Sequence, residues 1–379
     1  MTGRPAFLRL LAKGLIAFVA AAIVAGCTGY TKPSPQPLEP LTPSVNATVV
    51  WSQRIESVRF KLSVASVGGR FVVAGDDGTV SAVEADSGRE VWRGSAGAKL
   101  SAGVGSDGRY AAVVTISGDL VVFDQGVVKW RKPLGVRVTT APLVAGERVF
   151  VVAVDRSVQA FDAADGRKLW SLARTGDPLT LAQNGALGAF KNTLLVGVGP
   201  RLVGIDPLKG SIRWDVTVGS PRGTNEIERL ADLVGPLTRI GDIVCARAFQ
   251  VSVGCVNAER GTLVWSKNVG GTDAIAGDDQ WVYGSDASDR LTAWKFATGE
   301  VVWQSDKLLY RTLGAPVAIG KSVVYGDQDG TLHWLAKETG EAQLRMSTDG
   351  SPIVAQPVMS GSTMLVVTRK GGLFAIRQQ

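Results

Sequence analysis

Side chains that commonly carry out catalysis or bind metals are scarce in this sequence. Its 379 residues include one histidine, His333, and three cysteines, Cys27, Cys245 and Cys255. Histidine is the most frequent general acid and base in enzymes, and a zinc site needs four Cys or His ligands, or three with an open position. The composition therefore predicts a protein without catalytic residues, without a metal site and without a cofactor.

One glycine-rich stretch matches a nucleotide-binding pattern in its letters. Residues 103–108 read G-x-G-x-x-G. That pattern binds a dinucleotide only where it follows a strand and opens a helix. Here it opens the apolar run at 109–115, which is predicted to be a strand. We predict a turn between strands at this place.

Acidic clusters and the single histidine also have simple structural explanations. Asp76 with Asp77, and Asp327 with Asp329, have the spacing of calcium ligands. Aspartate is equally typical of tight hairpin turns, and we expect that role. His333 follows such a turn on an apolar strand and has no second histidine to work with, so a structural or surface role is predicted for it.

The overall composition is that of a folded protein with a large core. Apolar residues make up 45% of the chain and charged residues 20%, which excludes disorder for most of its length. The net charge of +7 falls to +4 without Arg4, Arg9 and Lys13, which lie in a predicted leader. A charge of that size is too dilute for a phosphate-binding surface, so we expect no nucleic-acid partner.

Residues 1–26 have the organisation of an export signal. Basic residues precede an apolar run at 14–25, which is too short to span a bilayer about 30 Å thick. The small residues just before Cys27 resemble the lipobox of bacterial lipoproteins, and Thr28 resembles the residue found in those sorted to the outer membrane. We predict a signal peptide at 1–26 and lipidation of Cys27. An ordinary signal peptide with an incidental cysteine is the alternative.

A proline-rich segment follows the predicted anchor. Five of the 16 prolines lie between residues 33 and 43. Such a composition favours an extended chain with little fixed structure. We therefore predict a poorly ordered tether at 27–48, beginning with the lipidated cysteine, and a folded body at 49–379.

The folded body carries a repeat of about forty residues. Tryptophans stand at positions 51, 92, 130, 170, 214, 265 and 303, and Leu344 occupies the next expected place. Most of these positions follow a short apolar run and a turn whose glycine lies four residues before the tryptophan. Repeats of this length indicate a solenoid or a propeller.

Each repeat contains the signals of four short strands joined by tight turns. This pattern predicts an all-β fold, an eight-bladed β-propeller of four-stranded antiparallel blades with the tryptophans packed between them. Trp51 has no three strands before it, and the last three strands, at 354–376, have no tryptophan after them. We therefore expect the N-terminal strand to complete the last blade.

Two cysteines occupy facing positions of one blade in this repeat. Cys245 and Cys255 are equivalent to Val72 and Ala82, which should lie opposite each other across a hairpin. In an oxidising compartment a disulfide is expected, with two buried thiols as the alternative. Thiol titration of denatured, unreduced protein would contradict the disulfide by finding two free thiols.

The repeats also resemble a known family. The phrase Asp-x-x-Thr/Ser-Gly-x-x-x-Trp, with Asp-Gly-x-Leu/Val-x-Ala upstream, resembles the repeats of quinoprotein dehydrogenases. Together with the lipobox, the proline-rich segment and a body of only eight repeats, it makes residues 27–376 similar to the BamB family of outer membrane protein assembly factors. The most specific matches are at 223–232, 308–311 and 326–334.

This resemblance implies a non-catalytic lipoprotein of the β-barrel assembly machinery. Such a protein is anchored to the outer membrane on its periplasmic side and docks on the POTRA domains of BamA, beside other lipoproteins of the machinery. It assists the folding and insertion of outer-membrane proteins, whose unfolded chains are further potential partners.

The two widest spacings between tryptophans point to a binding surface. The widest, 51 residues, contains an insertion at 220–234, and the next, 44 residues, contains one at 175–185. Both fall in connections between consecutive blades, so they should lie side by side as one patch. Enlarged loops on a rigid scaffold often bind partners.

The resemblance assigns residues within these loops. A Leu-x-Leu-Arg phrase of the family matches Leu179 and Leu181, with Ala182 where arginine is expected, which leaves the effect of the missing arginine open. An Asp-x-Asp phrase retains only its first carboxylate, Asp232. The predicted partner-binding residues are Leu179, Leu181, Glu226, Arg229 and Asp232. The alternative is that several of them only order the loops.

Two other functions use the same architecture. A periplasmic quinone-dependent dehydrogenase would normally be longer, with adjacent cysteines over the cofactor and a calcium site, and this sequence has no adjacent cysteine pair. Activity on reconstitution with quinone and calcium would support it. A propeller that binds sugar or peptidoglycan would instead recover wall fragments in a pull-down.

Overall fold

The repeats fold into eight small antiparallel sheets arranged as blades around a ring. The computed structural model describes residues 33–60, 62–173, 179–221 and 223–379. Within these residues, Gln36–Gln379 form one compact unit with eight four-stranded sheets. The predicted signal peptide and the predicted lipidation of Cys27 lie outside the described residues. The all-β fold, the number of blades and the number of strands in each are confirmed.

The strands of each blade run from the innermost to the outermost in chain order. The outermost strand of the last blade is β1 (Ala47–Arg54). Blade 1 contains β2 (Ala65–Val67), β3 (Arg70–Ala74), β4 (Thr79–Glu84) and β5 (Glu90–Ser95). Blade 2 contains β6 (Leu100–Ser106), β7 (Tyr110–Thr115), β8 (Asp119–Asp124) and β9 (Val127–Pro133). Blade 3 contains β10 (Leu143–Ala145), β11 (Arg148–Val152), β12 (Val158–Asp162) and β13 (Lys168–Leu172). Blade 4 contains β14 (Leu187–Phe190), β15 (Thr193–Val198), β16 (Arg201–Ile205) and β17 (Ile212–Thr217).

The second half of the ring repeats this order. Blade 5 contains β18 (Leu233–Ile240), β19 (Ile243–Ala248), β20 (Ser252–Asn257) and β21 (Thr262–Lys267). Blade 6 contains β22 (Ala276–Gly277), β23 (Trp281–Ser285), β24 (Leu291–Lys295) and β25 (Val301–Ser305). Blade 7 contains β26 (Val317–Ile319), β27 (Ser322–Gly326), β28 (Thr331–Ala336) and β29 (Ala342–Ser347). Blade 8 contains β30 (Val358–Ser360), β31 (Thr363–Val367) and β32 (Gly372–Gln378), and is completed by β1.

The repeating tryptophans lie on the outermost strands and pack on the next blade. The indole of Trp130 in blade 2 donates a hydrogen bond to the carbonyl of Ala163 in blade 3, at 2.8 Å. Its ring lies against Gly166, where an added Cβ would come within 2.7 Å of the indole. Trp51, Trp170, Trp265 and Trp303 make the equivalent hydrogen bond. The predicted packing role between blades is confirmed.

Leu344 breaks the series for a structural reason. It lies on the outermost strand of blade 7, so its neighbour is blade 8. There the turn between the third and fourth strands is replaced by the two chain segments that meet at Asn46 and Gln379, whose backbone atoms form a 2.8 Å hydrogen bond. A tryptophan at 344 would therefore face no such glycine turn.

The ring is closed by the N-terminal strand, as predicted. β1 pairs antiparallel with β32, from Ala47 opposite Gln378 to Arg54 opposite Gly372. The outer strand of blade 8 therefore comes from the opposite end of the chain to its three inner strands. Closure in this way leaves only short sheet edges exposed around a propeller.

The two faces of the ring differ in what they carry. The connections between blades and the turns between second and third strands lie on one face, which we call the loop face. The turns between third and fourth strands lie on the other, which we call the turn face. This division follows from the up-and-down order of the strands in each blade. Any long connection between blades therefore belongs to the loop face.

The proline-rich segment differs from its prediction. β1 begins at Ala47 rather than at 49, and residues from Gln36 onward contact the ring. The backbone N–H of Gln36 donates to the carbonyl of Leu309 and that of Ser44 donates to the carbonyl of Gln343, both at 2.9 Å. Composition predicts how a segment behaves in isolation, and it carries no information about hydrogen bonds with residues far away in the sequence.

Candidate partner-binding site

The two longest connections between blades are neighbours on the loop face. One joins β13 to β14 through residues 173–186, and the other joins β17 to β18 through residues 218–232. They flank blade 4 on its two sides. Of the first, residues 173 and 179–186 are described, and of the second all except residue 222. We call their described residues together the loop patch.

Asp232 joins the two loops. One oxygen of its carboxylate, Oδ2, accepts a hydrogen bond from the backbone N–H of Leu181 at 2.8 Å. The other, Oδ1, lies 3.3 Å from Nη2 of Arg156. Only 18% of the Asp232 side chain and 13% of the Arg156 side chain are exposed. The pair is therefore partly shielded from solvent, and it links the two loops to each other and to blade 3.

Arg156 extends this connection to a third element. It lies in the turn between β11 and β12 of blade 3, and its Nη2 also donates to the carbonyl of Leu179 at 3.2 Å. Beside it, the hydroxyl of Thr180 donates to the carbonyl of Val154 at 2.9 Å. The first loop is thus fastened to blade 3 on one side and to Asp232 on the other.

The second loop contains a compact turn of its own. The carboxylate of Glu228 accepts the backbone N–H of Thr224 at 2.8 Å, and the side-chain carbonyl of Asn225 accepts the N–H of Glu228 at 2.9 Å. The hydrogen bond from Thr224 lowers the pKa of Glu228 below its ordinary value. These reciprocal bonds give the turn a defined shape although it is exposed.

Apolar side chains are exposed on both loops. Ile227, within the turn of the second loop, is 74% exposed, and Leu179 of the first loop is 38% exposed. Glu226 beside Ile227 is exposed, while Arg229 is half-buried. Each loop thus exposes one large apolar side chain, which is the kind of residue that forms contacts in protein interfaces.

The structure places the five predicted residues in two groups. Leu179, Leu181 and Asp232 are connected through hydrogen bonds at the junction of the loops, and Leu181 is half-buried there. Glu226 and Arg229 belong to the turn of the second loop. Asp232 is committed to internal contacts, which matches the alternative that some of these residues order the loops. Their role in binding stays a prediction.

The sequence reasoning missed two residues of the loop patch. Ile227 was part of a motif match, yet its exposure was not predicted. Arg156 supplies a guanidinium to Asp232 in a chain that has Ala182 where the family phrase has arginine. The repeat frame places the turn of Arg156 on the loop face, which is the signal that would have found it.

The other motifs have structural roles. Gly103 and Gly105 lie within β6, and the tight turn is formed only at Gly108, with a φ of 97°. A strand, β7, follows, so the arrangement lacks the helix that a nucleotide site requires. An added Cβ on Gly105 would lie 1.9 Å from the carbonyl oxygen of Pro142. This glycine permits the close approach of blades 2 and 3.

The acidic clusters also act within the fold. Asp77 accepts hydrogen bonds from the backbone and the hydroxyl of Thr79. Asp327 accepts the backbone N–H groups of Asp329 and Thr331 and contacts the imidazole of His333 at 3.0 Å. In the described part of the chain, no cluster of three or more His, Cys, Asp or Glu residues has the arrangement of a metal site.

The cysteine pair lies inside blade 5. Cys245 on β19 is directly opposite Cys255 on β20, and both are fully buried. The structure joins their sulfur atoms in a disulfide, with Cα atoms 4.0 Å apart. The bond links adjacent strands beside Trp265.

No helix in the described residues is both long and apolar enough to cross a bilayer.

Fold and site together define a class: a closed propeller whose acidic clusters form hydrogen bonds within turns and whose two longest loops lie side by side on one face. A family model described as "Outer membrane protein assembly factor BamB" matches residues 45–99 and 76–305. The chain belongs to this family. Its members are assembly factors and not enzymes.

The individual relatives agree with this assignment. The chain is 35% identical over 369 residues to BamB of Burkholderia pseudomallei, covering 96% of this chain and 97% of that protein. It is 31% identical to BamB of Bordetella pertussis, again with 96% and 97% covered. These relatives match the chain over almost its whole length.

Solved structures match at the level of the fold. The crystal structure of BamB from Moraxella catarrhalis aligns with a TM-score of 0.79 at 24% identity, covering 88% of this chain and all of that one. A quinohemoprotein alcohol dehydrogenase from Comamonas testosteroni aligns with a TM-score of 0.67 at 15% identity, covering 87% of this chain and 76% of that one. The dehydrogenase thus shares the propeller architecture alone.

Proposed function

We propose that this chain is a non-catalytic scaffold of outer-membrane protein assembly. It is held at the periplasmic side of the outer membrane by a lipid on Cys27. It docks through the loop patch on the POTRA domains of BamA, beside other lipoproteins of the machinery. In that position it assists the folding and insertion of outer-membrane proteins.

The proposal is supported above all by the hydrogen bonds through which Asp232 links the two loops of the loop patch. The Arg156–Asp232–Leu181 connection links the two loops to each other and to blade 3. A preformed surface loses less conformational entropy on binding than two independent loops would. The exposed Leu179 and Ile227 then supply the apolar contact. Membership of the BamB family identifies the assembly machinery as the setting.

Co-purification from detergent-solubilised membranes tests the proposal. Leu179→Asp combined with Ile227→Asp places charge at the two exposed apolar positions of the loop patch. We expect recovery of BamA to fall at least about tenfold, because losing a hot-spot contact costs about 1.4 kcal/mol or more. Leu181→Asp, at the half-buried junction, is expected to act in the same direction through the shape of the first loop.

The matched control is Leu208→Asp. Leu208 is 62% exposed in the turn between β16 and β17, on the turn face. This variant places a charge at one exposed apolar position outside the loop patch and is expected to retain BamA. Equal recovery with the loop-patch variants and with Leu208→Asp, all folded by circular dichroism, would show that docking uses another surface.

A dehydrogenase-like function has support from the fold alone. The aligned alcohol dehydrogenase shares 15% identity, and the chain has no adjacent cysteine pair. Reconstitution with quinone and calcium that yields alcohol oxidation would be needed to establish it.

A further inference from the structure

The proline-rich segment before β1 binds along the outside of blades 6 and 7. We call residues 36–46 the strap. At its start, Gln36 forms a backbone hydrogen bond with Leu309 in the connection between blades 6 and 7. Near its end, Ser44 forms one with Gln343 on β29. The strap is thus fixed to the ring at both ends.

The ring provides the donors that a proline-rich segment needs. Proline has no N–H, so such a segment offers mainly carbonyl acceptors. Arg311 donates from Nη2 to the carbonyl of Gln36 at 3.1 Å, and Arg345 donates from Nη1 to the carbonyl of Glu39. Between these contacts Leu38 packs on the apolar cluster that contains Trp303.

The first of these arginines is itself held by a buried network. Arg311 is 8% exposed, and its Nη1 lies 3.2 Å from Oδ2 of Asp327. The imidazole of His333 contacts the same oxygen at 3.0 Å. Asp327 also accepts two backbone N–H groups of its own turn. The guanidinium of Arg311 is thus held in position by Asp327 and is oriented to donate to the strap carbonyl.

The direction of the strap determines where the chain leaves the ring. The connection that holds Gln36, residues 306–316, joins β25 to β26 and therefore lies on the loop face. From there the strap passes Arg345 and then Gln343, antiparallel to β29, and reaches the turn face where β1 begins. The N-terminal end of the strap is therefore on the same face as the loop patch.

We propose that the strap fixes the point of membrane attachment on the loop face and turns that face toward the bilayer. This inference rests on the lipid anchor of the proposed function. Residues 28–35 then separate Cys27 from the strap, and eight residues can span at most about 30 Å, whereas the 19 residues from 28 to 46 could span about 70 Å. The strap holds the loop patch and the membrane on one side of the ring.

Energy transfer to labelled lipid measures this orientation. Ala287 and Ala297 are exposed residues of blade 6, in the turn on the loop face and in the turn on the turn face respectively. Single cysteines at these positions carry a donor dye in the full lipidated chain, bound to phosphatidylethanolamine–phosphatidylglycerol vesicles with an acceptor lipid. The unsubstituted parent gives the labelling background.

We expect stronger transfer from Ala287→Cys than from Ala297→Cys, by at least about twofold, because strands about 20 Å long separate the two faces. Releasing the strap removes the difference. Arg311→Ala with Arg345→Ala releases it from the ring side, and Leu38→Asp releases it without changing the ring. Arg290→Ala, which breaks an exposed ion pair with Asp306 in the same blade, is the control and keeps the difference.

The outcomes separate this inference from the proposed function. Vesicle flotation that leaves the protein unbound means that the lipid anchor fails. Bound protein with equal transfer from both positions, or stronger transfer from Ala297→Cys, overturns the orientation while leaving the anchor intact. A difference that persists in both strap-releasing variants overturns the role of the strap. Circular dichroism of each variant shows that the ring is folded.

Discussion

At the scale of single residues, the polar side chains that looked chemically capable are used to build the fold. Asp327 illustrates this best. Its side chain is fully buried, forms an ion pair with Arg311, contacts the imidazole of His333 and accepts hydrogen bonds from two backbone N–H groups. At the loop patch, the carboxylate of Asp232 likewise accepts hydrogen bonds from Arg156 and from the backbone N–H of Leu181. A buried carboxylate with this many donors is costly to disrupt and has no free lone pair for catalysis.

The pH dependence of stability tests the role of Asp327. Burial alone would raise the pKa of this carboxyl, but the hydrogen bonds from His333 and the backbone outweigh burial and lower it below its ordinary value of 3.8. A lowered native pKa stabilises the fold above the unfolded-state pKa, and this contribution disappears as the pH falls through the native value.

We therefore expect Asp327→Asn to reduce the free energy of unfolding at pH 7 by about 1–3 kcal/mol, with the difference from the unsubstituted protein shrinking below about pH 4. Urea unfolding at pH 3, 4, 5 and 7 measures it. Asp306→Asn removes a carboxylate from an exposed pair and should cost less than about 0.5 kcal/mol at every pH. A difference for Asp327→Asn that is independent of pH would contradict the assignment.

At the scale of elements, neighbouring blades are joined by an indole laid on a glycine turn. The turn glycine needs a positive φ and must also lack a side chain, because the indole occupies that space. These two demands coincide at Gly166, whose φ is 71° and whose Cβ position lies 2.7 Å from Cδ2 of Trp130. Their costs can be separated by comparison with a glycine that meets only the first demand.

Gly146 is that comparison. It lies in the turn between β10 and β11 with a φ of 57°, and an added Cβ would meet no heavy atom within 4 Å. Gly146→Ala should cost about 1–2 kcal/mol, the penalty of the left-handed conformation alone. Gly166→Ala should cost a further 1–3 kcal/mol or so from the clash with Trp130. Equal losses in chemical unfolding would mean that the indole is not tightly seated.

At the scale of the whole molecule, stability depends on closing the ring. Blade 8 takes three strands from the C-terminal part of the chain and one from the N-terminal part, and Asn46 meets Gln379 where other blades have a turn. β1 also carries Trp51, which donates from its indole to the carbonyl of Ala85 in blade 1. The first folded strand thus contacts both the last blade and the first.

Two rearranged chains test closure. A protein that begins at Ser57 lacks β1, and it should lose more than about 3 kcal/mol of stability and associate through the exposed edge of β32. A circular permutant that begins at Glu147, ends at Gly146 and joins Gln379 to Asn46 through a short turn retains every blade. We expect its melting temperature to stay within a few degrees of that of the original chain. Loss of the fold in the permutant would show that chain order itself is required.

Much of this architecture could be predicted because its determinants are local. The spacing of Trp51, Trp92 and their equivalents reports the number of blades, since each blade is one stretch of about forty residues with its own turns. The same frame placed Cys245 opposite Cys255, ten residues apart. Hairpin register depends on neighbouring residues, which is why reasoning from the sequence succeeds there.

Contacts between distant parts of the chain were decided only by the tertiary structure. Arg156 and Asp232 are 76 residues apart, and Arg311 and Gln36 are 275 apart. The periodicity of the sequence was sufficient to determine the ring. Which guanidinium reaches which carboxylate or carbonyl across it, and therefore where the loops and the strap are fixed, depends on the positions that ring closure gives to residues with no local relation to each other.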